Sequence, residues 1–203
     1  MSELILRTRE LTRRYGRTLA LDRASLSVEK GQILGLVGRN GAGKTTLIRL
    51  ISGQSRPTSG ELTLFGASSP AALDRARSRT GVMVETPAFY PYLTAEQNLE
   101  YYRIQRGIPG RSCVDEALEL VRLTGAGKKK FKTFSLGMKQ RLGLALSLMN
   151  QPEFLLLDEP INGLDPEGVA EFRALLRRLN QERQTTILIS SHITNDLEKA
   201  ADY

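Results

Sequence analysis

The sequence contains 203 residues, one cysteine and a formal net charge of +7 at pH 7. This length suffices for one compact unit with a buried core, and Cys113 alone cannot form an internal disulfide, which favours a reducing compartment. No apolar run approaches the roughly 20 residues that span a bilayer, so we expect a peripheral membrane role at most. The positive net charge favours anionic partners, which could be nucleotides, anionic lipid headgroups or nucleic acid.

Two strands are predicted at the start of the chain, over residues 4–11 and 19–28, and together they suggest an antiparallel sheet. Tyr15 and Gly16 lie between them, so an aromatic ring stands beside a turn. The ring could stack on a nucleotide base or be an ordinary exposed tyrosine, and its chemistry alone leaves both open.

A glycine-rich segment follows the apolar run 33–37 and leads into the apolar run 47–51, which predicts a strand, a turn and a helix. This is the context that the G-x-x-x-x-G-K-T pattern requires, in which backbone N–H groups and the helix start face phosphate oxygens. We expect Lys44 to reach the β- and γ-phosphates and the Thr45 hydroxyl to ligate Mg²⁺, so the chain binds a nucleoside triphosphate. The segment's predicted nucleotide-binding residues are Gly38, Asn40, Gly41, Ala42, Gly43, Lys44, Thr45 and Thr46.

The middle of the chain changes from strands to helices. A buried strand over 81–84 ends at Glu85, near the sheet edge where ligands bind in α/β folds, and this carboxylate could hold a metal ion or a water molecule. From residue 94 to residue 150 the pattern is helical and begins with a capping box, which indicates a separate helical subdomain. The basic run 128–132 is either a solvated loop or a binding patch.

Ser135 opens a long amphipathic helix that continues to about Met149. With Gly137 after it, this helix start could hold a second phosphate through backbone N–H groups and the helix dipole. An ordinary capped helix explains the same residues equally well.

Two later strands end in polar side chains. The apolar run 154–157 is typical of a central parallel strand, and it ends in Asp158, which would orient Mg²⁺, and Glu159, which could act as general base toward the attacking water. The strand 185–191 ends at His192, the only histidine of the sequence, for which we expect contact with the γ-phosphate or the attacking water.

Taken together, these motifs strongly resemble the nucleotide-binding cassette of ABC transporters over nearly the whole chain. The Ser-x-Gly-x-x-Gln element, Ser135 to Gln140, separates that family from other phosphate-loop ATPases. The resemblance implies an α/β fold: a phosphate-loop NTPase core with a mostly parallel sheet, an N-terminal antiparallel β subdomain and an inserted α-helical subdomain. The core with its β subdomain would occupy residues 1–85 and 151–203, and the helical subdomain residues 86–150.

The same resemblance implies ATP and Mg²⁺ as cofactors, and the metal ligands predicted from the residues themselves are Thr45, Asp158 and Glu85. It implies that Tyr15 stacks on adenine and that His192 contacts the γ-phosphate. Residues Ser135 and Gly137 would bind the γ-phosphate held by a second cassette in a nucleotide-dependent homodimer, and Asp165 would cross the dimer interface. The further partners would be polytopic membrane subunits, which place the chain on the inner face of the cell membrane.

Two residues depart from the usual family pattern: Glu85 stands in place of a glutamine, and Leu136 in place of a glycine. The segment 82–91 is similar to cassettes of bacitracin- and lantibiotic-type exporters, which implies export, with the transported compound selected by the membrane subunits. Similar cassettes continue past Tyr203 with further strands, so we expect this chain to be truncated.

The main alternative is a soluble ABC-type ATPase that acts on nucleic acid or ribosomes, which the positive charge would also suit. Ribosome-associated members carry two cassettes and chromosome-type members insert a long coiled coil, and this sequence contains neither. A phosphate-loop kinase, the third possibility, gives no reason for the Ser135 element. We therefore do not expect nucleic acid as a partner.

Overall fold

The computed structural model describes residues 3–84 and 88–192. Its strands are β1 (Leu4–Tyr15), β2 (Thr18–Glu29), β3 (Ile33–Val37), β4 (Ser59–Leu64), β5 (Thr80–Met83), β6 (Phe154–Leu157) and β7 (Thr186–Ser191). Its α-helices are α1 (Lys44–Ile51), α2 (Pro70–Arg77), α3 (Ala95–Gln105), α4 (Ser112–Leu120), α5 (Leu136–Leu148) and α6 (Pro166–Arg183), with 3₁₀ turns at Thr124–Ala126 and Phe131–Thr133.

The first sheet is antiparallel, with strand order β2-β1-β4. Arg7 in the central strand lies opposite Ser27 on one side and Thr63 on the other. The predicted pairing of the two N-terminal strands is confirmed, and both strands are longer than predicted. Their hairpin turns at Gly16, whose φ of +56° is readily adopted by glycine.

The second sheet is parallel, with strand order β3-β7-β6-β5. Ile187 of β7 lies between Ile33 of β3 and Leu155 of β6, and all three pairings of the sheet run parallel. Because the carboxyl ends of parallel strands meet at one edge, the segments after β3, β6 and β7 come together there. The predicted α/β fold with a parallel core sheet is confirmed.

Side chains of β6 divide the core into two layers. Leu155 and Leu157 face a cluster shared with α3 to α6, whereas Phe154 and Leu156 face a cluster shared with α1 and the antiparallel sheet. All four are completely buried, and each contributes about 1.5–3 kcal/mol through removal of its apolar surface from water. Strand β6 therefore contributes to both core clusters, and Asp158 and Glu159 follow it directly.

The helices α3, α4 and α5 occupy the segment for which a helical subdomain was expected. Helix α3 begins with the predicted capping box: Gln97 N–H donates to Thr94 Oγ1 at 3.1 Å, and Thr94 N–H donates to Gln97 Oε1 at 2.9 Å. One buried cluster joins these helices to the parallel sheet. The subdomain boundaries at residues 86 and 150 stay a prediction. Over residues 3–84 and 88–192, none of the helices combines the length and the apolar character needed to cross a bilayer.

Candidate nucleotide-hydrolysis site

The phosphate loop connects β3 to α1 in a conformation that depends on glycine. Gly41 has a φ of +84°, and Gly43, the N-cap of α1, has a φ of +92°. A Cβ atom on Gly43 would lie 2.8 Å from the backbone oxygen of Ala20, so the loop packs directly on β2. Asn40 and Ala42 are exposed on the loop, and Thr46 is half-buried in the first turn of α1.

Lys44 is buried within the loop, with a relative exposure of 8%. Its ammonium group donates to the Gly38 carbonyl at 2.5 Å and to the Arg39 carbonyl at 3.3 Å, and it lies 3.2 Å from Glu159 Oε1. A buried cation needs such oxygen partners because removal from water disfavours its charge. Phosphate oxygens are chemically equivalent partners for the same group.

Thr45 and Asp158 meet across the site. The Thr45 hydroxyl donates to Asp158 Oδ2 at 2.6 Å, and the Ser190 hydroxyl donates to Asp158 Oδ1 at 2.6 Å. Asp158 is only 8% exposed, so both oxygens of a buried carboxylate are held. Ser190 had no role predicted from the sequence, and the available signal was a hydroxyl near the end of an otherwise apolar strand.

These oxygen ligands fit a divalent cation that is bound mainly through phosphates. Within residues 3–84 and 88–192, we find no group of three or more His, Cys, Asp or Glu side chains that could hold a metal ion. Mg²⁺ usually needs only one or two protein carboxylates or hydroxyls when a substrate phosphate supplies further oxygens. Glu85, the third predicted ligand, lies outside the described residues.

Glu159 lies between two nitrogen groups. Its Oε1 is 3.2 Å from Lys44 Nζ, and its Oε2 is 2.7 Å from His192 Nδ1. Its backbone N–H donates to the Ser190 hydroxyl at 2.9 Å, and its φ is +48°, a strained value for a residue other than glycine. Such strain is typical of functional positions, where the surrounding contacts impose it. A cavity of about 350 Å³ opens beside Glu159 and His192.

Ser135 caps α5, and its hydroxyl accepts from Met138 N–H at 3.3 Å. Ser135 is exposed, so the predicted anion-binding helix start is open to solvent. Gly137 follows in the first turn, and a Cβ atom there would lie 3.3 Å from Leu164 Cδ2. Asp165 is the N-cap of α6, since its Oδ1 accepts from Gly168 N–H at 3.0 Å, a structural role that was not predicted from the sequence.

Tyr15 lies at the tip of the β1–β2 hairpin and is 43% exposed. Its hydroxyl lies 3.1 Å from Ser55 Oγ, and the Arg13 guanidinium lies 4.4 Å from the ring centroid. The hydrogen bond with Ser55, aided by Arg13, lowers the pKa of Tyr15. Arg13 contacts one face of the ring, and stacking of adenine on the other face stays a prediction.

The structure thus brings together Lys44, Thr45, Asp158, Glu159 and His192. It places Ser135, Gly137 and Asp165 in a second group, around the segment 162–165, and Tyr15 in a third. The roles assigned to all of these residues in nucleotide binding and hydrolysis stay predictions.

Comparison with known proteins gives consistent results. The family model described as ABC transporter matches residues 21–162. The bacitracin transport ATP-binding protein BcrA of Enterococcus faecalis is 46% identical over 200 residues, which cover 98% of this chain and 65% of that protein. The lantibiotic transport ATP-binding protein SrtF of Streptococcus pyogenes is 37% identical over 199 residues, which cover 98% of this chain and 85% of that protein. This chain therefore spans just under two thirds of the length of BcrA.

Solved structures agree with the fold. The structure of cbiO1 from Clostridium perfringens, part of the ABC transporter complex cbiONQ, has a TM-score of 0.86 at 28% identity. The match covers 98% of this chain and 83% of the cbiO1 chain. A bacterial ABC transporter cassette solved as a dimer has a TM-score of 0.85 at 25% identity and covers 96% of this chain and 91% of its own. A post-hydrolysis dimer bound to ADP and phosphate has a TM-score of 0.84 at 25% identity, covering 96% of this chain and 91% of its own.

Proposed function

Since this chain belongs to the ABC transporter family, we propose that it is the ATP-hydrolysing subunit of an exporter. It would bind ATP and Mg²⁺, pair with a second cassette and drive separate membrane subunits. The single observation that carries the hydrolytic part is the position of Glu159, whose carboxylate lies between Lys44 and His192. That geometry supplies a base beside a phosphate-binding cation in a largely buried site.

Lys44 would exchange its contacts with loop carbonyls for contacts with the β- and γ-phosphates. Charge-assisted hydrogen bonds of this kind are about twice as strong as neutral ones. Thr45 and Asp158 would hold Mg²⁺, which when bound neutralises phosphate charge. Their hydrogen bond already places the hydroxyl and the carboxylate side by side, and Ser190 fixes the orientation of the carboxylate.

Glu159 would accept a proton from the attacking water through its carboxylate. His192 holds Oε2 in place and is itself at the edge of the site, where the γ-phosphate would lie. A general base of this type contributes roughly 10²–10⁴-fold to the rate. The hydrogen bond from Glu159 N–H to the Ser190 hydroxyl at 2.9 Å holds the backbone at this position, which favours one placement of the base.

The exporter role is supported by the relatives rather than by the geometry. BcrA and SrtF are described as bacitracin and lantibiotic transport proteins, so we propose that the membrane subunits move a peptide antibiotic or a related compound. The chain would then sit on the cytoplasmic face of the cell membrane, attached to those subunits. These relatives give no support to the alternative of an ATPase acting on nucleic acid or ribosomes.

Affinity purification from detergent-solubilised membranes tests this function. A tagged chain in its natural host should recover a polytopic membrane protein, and the complex should hydrolyse ATP. The Lys44→Ala chain should recover the same partner without hydrolysis. Recovery of ribosomes or nucleic acid in place of a membrane protein would contradict the exporter role.

A further inference from the structure

The start of α5 is packed against the loop that follows β6 in the same chain. The Gln140 side-chain amide donates from Nε2 to the backbone carbonyl of Asn162. Leu136 lies over Gly163, where an added Cβ atom would come within 2.6 Å of Leu136 Cδ2. The helix that carries Ser135 is therefore in direct contact with the segment 162–165.

Gln140 is a polar residue in a buried position, with a relative exposure of 7%. Its Oε1 is buried without a hydrogen-bond partner in the part of the chain that the structure describes. An unpaired buried polar atom costs stability, so packing alone would be better served by an apolar side chain. The bond from Nε2 to Asn162 is thus the feature that a glutamine supplies at this position.

The bond reaches a turn that begins at the proposed general base. Asn162 N–H donates to the Glu159 carbonyl at 3.2 Å, so the residue held by Gln140 closes the turn that Glu159 opens. The loop ends at Asp165, which caps α6. A continuous set of contacts therefore leads from Glu159 through Asn162 and Gln140 to the helix start at Ser135.

We propose that Gln140 is a positioning residue that couples the two nucleotide sites of the dimer. It fixes the helix start that one chain offers to its partner's nucleotide relative to the carboxylate that the same chain uses on its own nucleotide. Leu136, which replaces the usual glycine, packs on Gly163 and stabilises the same contact. This inference rests on the proposed function, because Ser135 has a nucleotide to contact only in a dimer with a shared site.

The test uses Gln140→Met in a chain that also carries Glu159→Gln, so that ATP is not consumed. Methionine keeps the length and the buried volume but cannot donate. The matched control is Lys139→Met, since Lys139 is the adjacent residue and its ammonium group lies over the Phe131 ring at 5.6 Å. ATP affinity of the monomer should be unchanged in both. ATP-dependent dimerisation should weaken about tenfold for Gln140→Met, because the released helix start must be ordered when the dimer forms, and less than twofold for the control.

A second variant guards against misfolding of Gln140→Met. Leu136 is 51% exposed, so Leu136→Gly removes its contact with Gly163 without opening the core, and it should weaken dimerisation about threefold at unchanged ATP affinity. Equal dimerisation of Gln140→Met and Lys139→Met, or of Leu136→Gly and its parent, would overturn the coupling while the proposed function stands. A parent chain that stays monomeric with ATP would overturn both.

Discussion

Glu159, the proposed general base, is contacted by three neighbours from two segments. Lys44 comes from the phosphate loop, His192 from the end of β7, and Ser190 from within β7. The three contacts involve different atoms of Glu159, whose backbone conformation is one that glutamate disfavours. These neighbours therefore determine how the Glu159 carboxylate is oriented in the site.

Replacement of Glu159 by glutamine separates binding from hydrolysis. Glutamine keeps the shape but cannot take a proton, so single-turnover hydrolysis should fall by roughly 10²–10⁴-fold while ATP affinity persists. The control is Glu153→Gln, the same change in a solvent-exposed ion pair with Arg79, and it should leave the rate unchanged. Near-normal hydrolysis by Glu159→Gln would assign the base to another residue, with His192 and Glu85 next to test.

Lys44→Ala should remove most ATP affinity with little loss of folded structure. The side chain makes its contacts with the phosphate loop and Glu159, so its loss leaves the apolar clusters intact. Equilibrium binding of a fluorescent ATP analogue measures the effect, and circular dichroism checks the fold. Lys30→Ala removes an exposed ion pair with Glu3 and serves as the control. Unchanged affinity in Lys44→Ala would refute the phosphate contact.

The phosphate loop packs against the antiparallel sheet. Gly41 and Gly43 both have positive φ, but only the Gly43 position lacks space, because Ala20 of β2 is adjacent. Gly41→Ala should therefore cost about 1 kcal/mol of stability through backbone strain alone. Gly43→Ala should cost a further 1–3 kcal/mol, roughly the penalty for overpacking, because backbone cannot move aside easily. Urea unfolding without nucleotide measures both, and equal losses would show that the β2 contact is unimportant.

The elements that the sequence predicted best are those with a local signal. The capping box at Thr94, the apolar run of β6 and the phosphate-loop glycines each specify structure within a few residues. The contacts of Ser190 with Asp158 and of Gln140 with Asn162 join residues that are distant in sequence, and neither has a local pattern. They depend on how β7 and α5 pack, and this packing could not be predicted from the sequence.

In the chain as a whole, the two groups of residues proposed to bind nucleotide lie in different places. One contains Lys44, Thr45, Asp158, Glu159 and His192, and the other is the exposed start of α5 at Ser135. Neither group is a complete site in one chain if Ser135 binds a γ-phosphate, so ATP would complete both by bridging two chains. The net charge of +7 makes such a dimer unfavourable without an anion between the surfaces.

The measurement that tests this most directly is analytical ultracentrifugation of the Glu159→Gln chain with ATP, with ADP and without nucleotide. We predict a dimer with ATP only, because ADP lacks the γ-phosphate. Ser135→Asp, which keeps an N-cap acceptor but repels phosphate, should abolish the dimer. Ser69→Asp, the same change at the N-cap of α2, should leave it intact. An oligomer that forms without nucleotide, or an ATP dimer that persists in Ser135→Asp, would contradict a nucleotide site shared between two chains.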